Sequence, residues 1–105
     1  MAYIYQVAFA LRPEQTDQLE IGAPLERSLG YLRARLPGEP GFVTARAMRS
    51  IVRGDVRIVL ETVWEEWDDI VRHAASPMAE DKILEEFEPH VRPDQLDVRL
   101  YEEVD

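Results

Sequence analysis

The chain has no cysteine, no asparagine and only one lysine, and no long apolar run. Without cysteine there is no disulfide, no thiolate nucleophile, no iron–sulfur cluster and no Cys-type zinc site. No apolar stretch approaches the ~20 residues that a membrane-spanning helix needs. Positive charge is also scarce: 12 Lys+Arg stand against 21 Asp+Glu, a formal charge of −9. Such a chain repels phosphate backbones and anionic bilayers, and its basic residues are scattered rather than clustered. Neither nucleic acid nor a membrane is therefore an expected partner. The opening residues Met1 to Gln6 lack a basic stretch followed by an apolar core, so a cytoplasmic location is expected.

What remains is an ordinary globular composition. In 105 residues, 46% are hydrophobic and 31% charged, enough for a single domain spanning 1–105 with one core. Residues 3 to 11 alternate. Tyr3, Tyr5, Val7, Phe9 and Leu11 fall on one side, and Ile4, Gln6, Ala8 and Ala10 on the other. That period of two predicts a strand. Arg12 to Gly22 is polar and reads as a loop, with Ala23-Pro24 opening a helix at the position where proline's missing N–H costs nothing. Ile21, Leu25, Leu29, Leu32 and Leu36 form an apolar stripe at helical spacing. Pro37-Gly38-Glu39-Pro40-Gly41 ends that helix.

Phe42–Arg49 and Val56–Trp64 read as strands joined by a hairpin around Arg53-Gly54-Asp55. Glu65–Ala75 reads as a helix with Trp67, Ile70, Val71 and Ala74 inward. Ser76-Pro77 breaks it. A short acidic helix follows near Glu80 to Glu88, and Leu96–Glu103 is a last strand. The order strand, helix, strand, strand, helix, strand is the split βαβ pattern of a ferredoxin-like α+β domain. Its antiparallel sheet carries both helices on one face. Either face of the first strand is too apolar to meet water alone. An uncovered apolar sheet face signals association, so a homodimer stacked through the open faces is expected.

Trp64-Glu65-Glu66-Trp67-Asp68-Asp69-Ile70-Val71-Arg72-His73 runs from the end of a strand into a helix and is followed by Ala74-Ala75-Ser76-Pro77. With Pro40-Gly41-Phe42 at the entry to the second strand and Leu96 to Tyr101 as the last strand, the chain resembles the antibiotic-biosynthesis-monooxygenase-like proteins of the dimeric α+β barrel group. The resemblance covers nearly the whole chain and speaks more specifically to fold than to activity. It implies a homodimer with a pocket in each protomer between sheet and helices. Some members of that group oxidise polycyclic phenols to quinones without metal or flavin, so no cofactor is implied. A deprotonated, electron-rich aromatic can itself reduce O₂, leaving the protein to bind it, move a proton and exclude water. Other members degrade haem with an Asn, a Trp and a His. This chain has no Asn, the second Trp slot falls on His73, and the His slot falls near Ile83, which sets that reaction aside.

His73 is the candidate catalytic residue, since a neutral imidazole can take a proton from a phenol near neutral pH. It lies roughly 60° beyond Ile70 on the helix, at the edge of the inward face. The competing reading is a structural histidine bonded to a backbone carbonyl or a loop. Trp64, Trp67 and Tyr5 are candidate substrate contacts for a planar aromatic ligand; such tryptophans are more often core anchors at a strand–helix junction, and the Tyr5 hydroxyl could orient a ligand or simply reach water. Gln6 is a polar interruption of an apolar strand. His90, between Pro89 and Pro93, reads as a solvated loop residue, and two distant histidines supply no metal-ligand spacing, so no metal site is expected. A non-catalytic ligand-binding or structural module fits the same sequence, as does an isomerase or dehalogenation-type enzyme on the same barrel.

Overall fold

In the computed structural model the alternating first segment is a strand, β1 (Tyr3–Ala10), followed by α1 (Gln18–Arg35) and a single 3₁₀ turn at Leu36–Gly38. β2 (Phe42–Arg49), β3 (Arg57–Trp64), α2 (Trp67–Ala75), α3 (Met78–Phe87) and β4 (Asp97–Glu102) complete the chain. The structure describes residues 2–10, 18–50, 57–76, 78–87 and 96–104. The hairpin at Arg53-Gly54-Asp55, the strand end at Leu11 and the loop around His90 lie outside them.

The strands form one antiparallel sheet in the order β2-β3-β1-β4. β3 separates β1 from β2, which is the split βαβ arrangement expected of a ferredoxin-like domain. The period-two pattern settles which side each residue takes. Tyr5, Val7 and Phe9 are buried toward the helices and share one cluster with Leu32, Leu36, Ile58, Leu60, Trp64, Ile70 and Ile83. Full burial of each large apolar side chain in such a core stabilises the fold by about 1.5–3 kcal/mol. The Leu stripe of α1 behaves as its spacing requires, with Leu32 and Leu36 sealed and Leu25 packed at the margin.

Three expectations need correction. First, α1 begins by Gln18 rather than at Ala23-Pro24, so part of the segment read as a loop is helical and Pro24 sits inside the helix. A proline deletes one helical hydrogen bond and crowds one carbonyl, but the turns on either side can continue. Second, α2 is rolled so that Asp69, Ile70 and His73 face inward, while Trp67 and Val71 stand 48% and 45% exposed. Trp67 instead packs edge-on against Tyr3 at 5.7 Å. Third, the acidic helix starts at Met78, and its Glu80 is buried.

The turn into β2 depends on Gly41. Its φ is +79°, a region that side chains avoid, and a Cβ there would collide with the Asp69 carboxylate of α2. Its carbonyl accepts a hydrogen bond from the Glu65 N–H at 2.8 Å, tying the start of β2 to the end of β3. The turn thereby holds Glu39 against α2.

The sheet face opposite the helices is less apolar than β1 alone suggests. Ile4, Ala8 and Val59 share it with charged residues from the other strands. Gln6 Nε2 donates to Glu61 Oε1 at 2.8 Å, and Arg46 Nε donates to Glu61 Oε2. Asp97 takes hydrogen bonds from Arg99 at 2.7 Å and Arg57 at 3.5 Å. A groove of about 340 Å³ lies over this polar ladder, flanked by Ala8, Val59 and Tyr101.

Candidate functional site

Three elements converge on His73, which is 3% exposed. α2 carries the ring, the turn before β2 brings Glu39, and the first turn of α3 brings Glu80. His73 Nδ1 lies 3.0 Å from Glu39 Oε2, and Nε2 lies 2.7 Å from Glu80 Oε1. Both ring nitrogens thus face carboxylate oxygens, which accept and never donate when ionised. With both carboxylates ionised, the imidazolium is the form that satisfies both contacts at once.

Burial works to lower the His73 pKa. The hydrogen bond and charge of Glu80, followed by those of Glu39, outweigh it and hold the pKa above its ordinary value. The ring also occupies the last turn of α2, where the helix dipole favours a cation. Trp64 lies over the imidazole, with ring centroids 4.6 Å apart and planes tilted by 31°, so its π face supports the positive charge. Tyr5 meets the same ring edge-on at 5.3 Å. Burial, and after it the nearby charges of Glu80 and Asp81, push the Tyr5 hydroxyl up to about 12. Tyr5 is therefore a neutral hydroxyl at physiological pH.

The aromatic wall is keyed into the sheet. Trp64 Nε1 donates to the Thr62 hydroxyl at 2.9 Å, and that hydroxyl donates to the Tyr5 carbonyl at 3.5 Å. Phe42 packs edge-on against Trp64 at 5.7 Å. Glu80 is the outlier in this well-satisfied setting. It is 1% exposed, and its Oε2 has no hydrogen-bond partner among the described residues. An unmet buried acceptor of this kind costs about 1–3 kcal/mol.

Glu39 opens the site to the outside. Its side chain is 42% exposed and forms part of a cleft of about 450 Å³ between the end of α1 and the end of α2, where Tyr31, Arg35 and Arg72 also line the wall. Arg35 sits 6.0 Å from the Tyr31 ring, and Arg72 pairs with Asp69 at 3.3 Å.

Of the residues singled out in the sequence, the structure brings His73, Trp64 and Tyr5 together and leaves Trp67 apart. His73 is nearer the middle of the buried face than its spacing from Ile70 implies. Gln6 belongs to the opposite face, with Glu61. Sequence reasoning passed over Glu39 and Glu80. Glu80 had a visible signal, since it lies one helical turn before the buried Ile83 and so shares the apolar side of α3. Glu39 sits in a turn 34 residues from His73 and had none.

No protein-family model matches the chain, and no curated protein does. Solved structures do. A mutant form of SnoaB, a cofactor-independent oxygenase from Streptomyces nogalater, is 18% identical, with a TM-score of 0.62 over 99% of this chain and 94% of that one. A dimeric protein of unknown function and ferredoxin-like fold from Bacteroides fragilis is 20% identical, with a TM-score of 0.66 over 96% and 95%. A Deinococcus radiodurans protein provisionally named an antibiotic biosynthesis monooxygenase is 15% identical, with a TM-score of 0.63 over 100% and 94%. The chain has the ferredoxin-like α+β fold of the antibiotic-biosynthesis-monooxygenase-like proteins.

Proposed function

We propose that this chain is a small cofactor-independent monooxygenase-like protein acting on an aromatic or quinone-type small molecule. The observation that carries the reading is the buried imidazole of His73, clasped by Glu39 and Glu80 and walled by Trp64 and Tyr5. The name of the Streptomyces nogalater neighbour agrees with it. In the proposed reaction a phenol gives its proton to the His73–Glu80 pair, whose carboxylate is the base, and the electron-rich phenolate reduces O₂. One oxygen atom enters the ring to give a quinone, and the other leaves as water. All four electrons come from the substrate. The protein's share is proton handling at His73, a positive charge beside the developing phenolate, and a dry aromatic wall formed by Trp64 and Tyr5. Trp67, half-exposed and packed on Tyr3, is left out of the substrate contacts.

The test is O₂ uptake and quinone formation with a panel of naphthol- and anthrone-type phenols, with chelator present. The wild-type chain is expected to consume O₂ with at least one of them. His73→Gln is expected to lose about 100-fold or more of that rate while keeping its circular dichroism at room temperature. An absence of uptake across the panel would leave the second reading, a non-catalytic ligand-binding or structural module. That reading draws on one observation, that both His73 nitrogens are already bonded inside the fold.

The same proposal includes a homodimer. β1 pairs Val7 with Val98 and Tyr5 with Leu100, so both β4 residues share the helix side of the sheet, yet they stand 51% and 44% exposed. They leave the helix side of the sheet at β4 in need of cover. Light scattering at micromolar concentration is expected to return twice the 12.2 kDa chain mass. A stable, soluble monomer would remove the dimer from the proposal.

A further inference from the structure

We infer that Glu39, His73 and Glu80 form a proton conduit that connects the open cleft between α1 and α2 to a carboxylate sealed beside Tyr5. The geometry is a line of three proton carriers. Side-chain exposure falls along it from 42% at Glu39 to 2% at His73 and 1% at Glu80. The two links measure 3.0 and 2.7 Å, both within hydrogen-bond range. A histidine that served only as packing would not need a carboxylate on each nitrogen. A buried ion pair that served only stability would not leave Glu80 Oε2 without a partner among the described residues. That free oxygen points to the interior end as the place where a proton is received or given up.

Imidazole suits the middle position because its two nitrogens can exchange roles. When Glu80 holds the proton and His73 is neutral, the Glu80 Oε1–H bond breaks as an Nε2–H bond forms. The Nδ1–H bond breaks as an O–H bond forms on Glu39, which then releases the proton to water in the cleft. His73 ends with one proton, as it began, on the other nitrogen. The reverse step carries a proton inward. The resting imidazolium between two carboxylates is the same wire with its central site loaded. Charged and titratable groups among the described residues surround it on two sides. Tyr5 from β1 and Asp81 from α3 lie near Glu80, while Asp69 and Arg72 of α2 and Arg35 of α1 lie toward the cleft. The conduit deepens the oxygenase proposal, because it lets a substrate proton leave, or a reduced oxygen species gain one, without opening the reacting site to solvent.

The test needs no substrate. After a rapid pH jump, infrared spectroscopy follows the Glu80 carboxyl band, identified as the signal lost in Glu80→Gln. If that variant fails to fold, carbon-13 NMR of glutamate-labelled wild-type protein supplies the same signal. In wild type, Glu80 is expected to equilibrate within the mixing time. In Glu39→Gln the equilibration is expected to slow by about tenfold or more. Glutamine keeps an acceptor for Nδ1 but cannot carry the proton onward, and the half-exposed position tolerates the exchange without a large change in Tm. Equal rates in the two proteins would overturn the conduit. So would a Glu80 signal that does not respond to the jump at all. If the slowing is seen and no phenol is oxidised, the conduit stands and the oxygenase reading falls; the opposite pair of results removes the conduit alone.

Discussion

Among the described residues, each face of the sheet buries one glutamate, and the two faces treat it differently. Glu61, on the open face, is 4% exposed and fully satisfied: Gln6 donates to one oxygen and Arg46 to the other. Its cationic partner Arg46 is 63% exposed, so water screens the pair. Glu80, on the helix face, is 1% exposed, has one oxygen bonded and one without a partner among the described residues, and is paired with a cation that is itself sealed. Burial alone therefore says little about what a carboxylate does. Glu61 is finished within the protomer, whereas Glu80 keeps capacity for one more hydrogen bond or one proton. That difference separates a structural ion pair from a candidate site.

Removing each carboxylate in turn tests this contrast. Glu80→Ala strands a buried imidazolium with only Glu39 beside it and should cost about 3–5 kcal/mol. Glu61→Ala leaves Arg46 free to turn into water and should cost only about 1 kcal/mol. Urea or thermal unfolding of both variants reads the difference directly. Similar losses in the two would mean that the faces are not electrostatically distinct.

Much of the fold could be read from local pattern because local pattern causes it. The alternation of Tyr3 to Ala10, the Leu stripe ending at Leu36 and the Pro40-Gly41-Phe42 turn each depend on neighbours a few residues apart. The errors arose where distant contacts decide. Pro24 has the chemistry of a helix start, yet the helix extends back to Gln18 around it. The roll of α2 could not be read from Trp67, Ile70, Val71 and Ala74 alone. Their apolar stripe would turn Trp67 inward, whereas Glu39, Glu80, Trp64 and Tyr5, reaching His73 from other elements, go with a helix turned to bury that ring instead. The aromatic half of the site was therefore legible and the acidic half was not. A wall of Trp and Tyr stands out in a strand pattern, while two glutamates among 21 acidic residues do not.

The pH dependence of stability gives a smaller but sharper effect. A histidine whose pKa is raised on folding contributes stability that is complete below the ordinary imidazole pKa of 6.5 and is lost as the pH rises through the raised value. The clasp should therefore weaken toward alkaline pH, and the advantage of wild type over His73→Gln should shrink in that direction.

The most direct measurement is nitrogen-15 NMR of the His73 ring. Both Nδ1 and Nε2 are expected to carry protons at neutral pH, with the ring titrating above 6.5. A neutral ring at pH 7 with one bare nitrogen, or a titration midpoint at or below 6.5, would contradict the carboxylate–imidazolium–carboxylate arrangement on which both the site and the conduit rest.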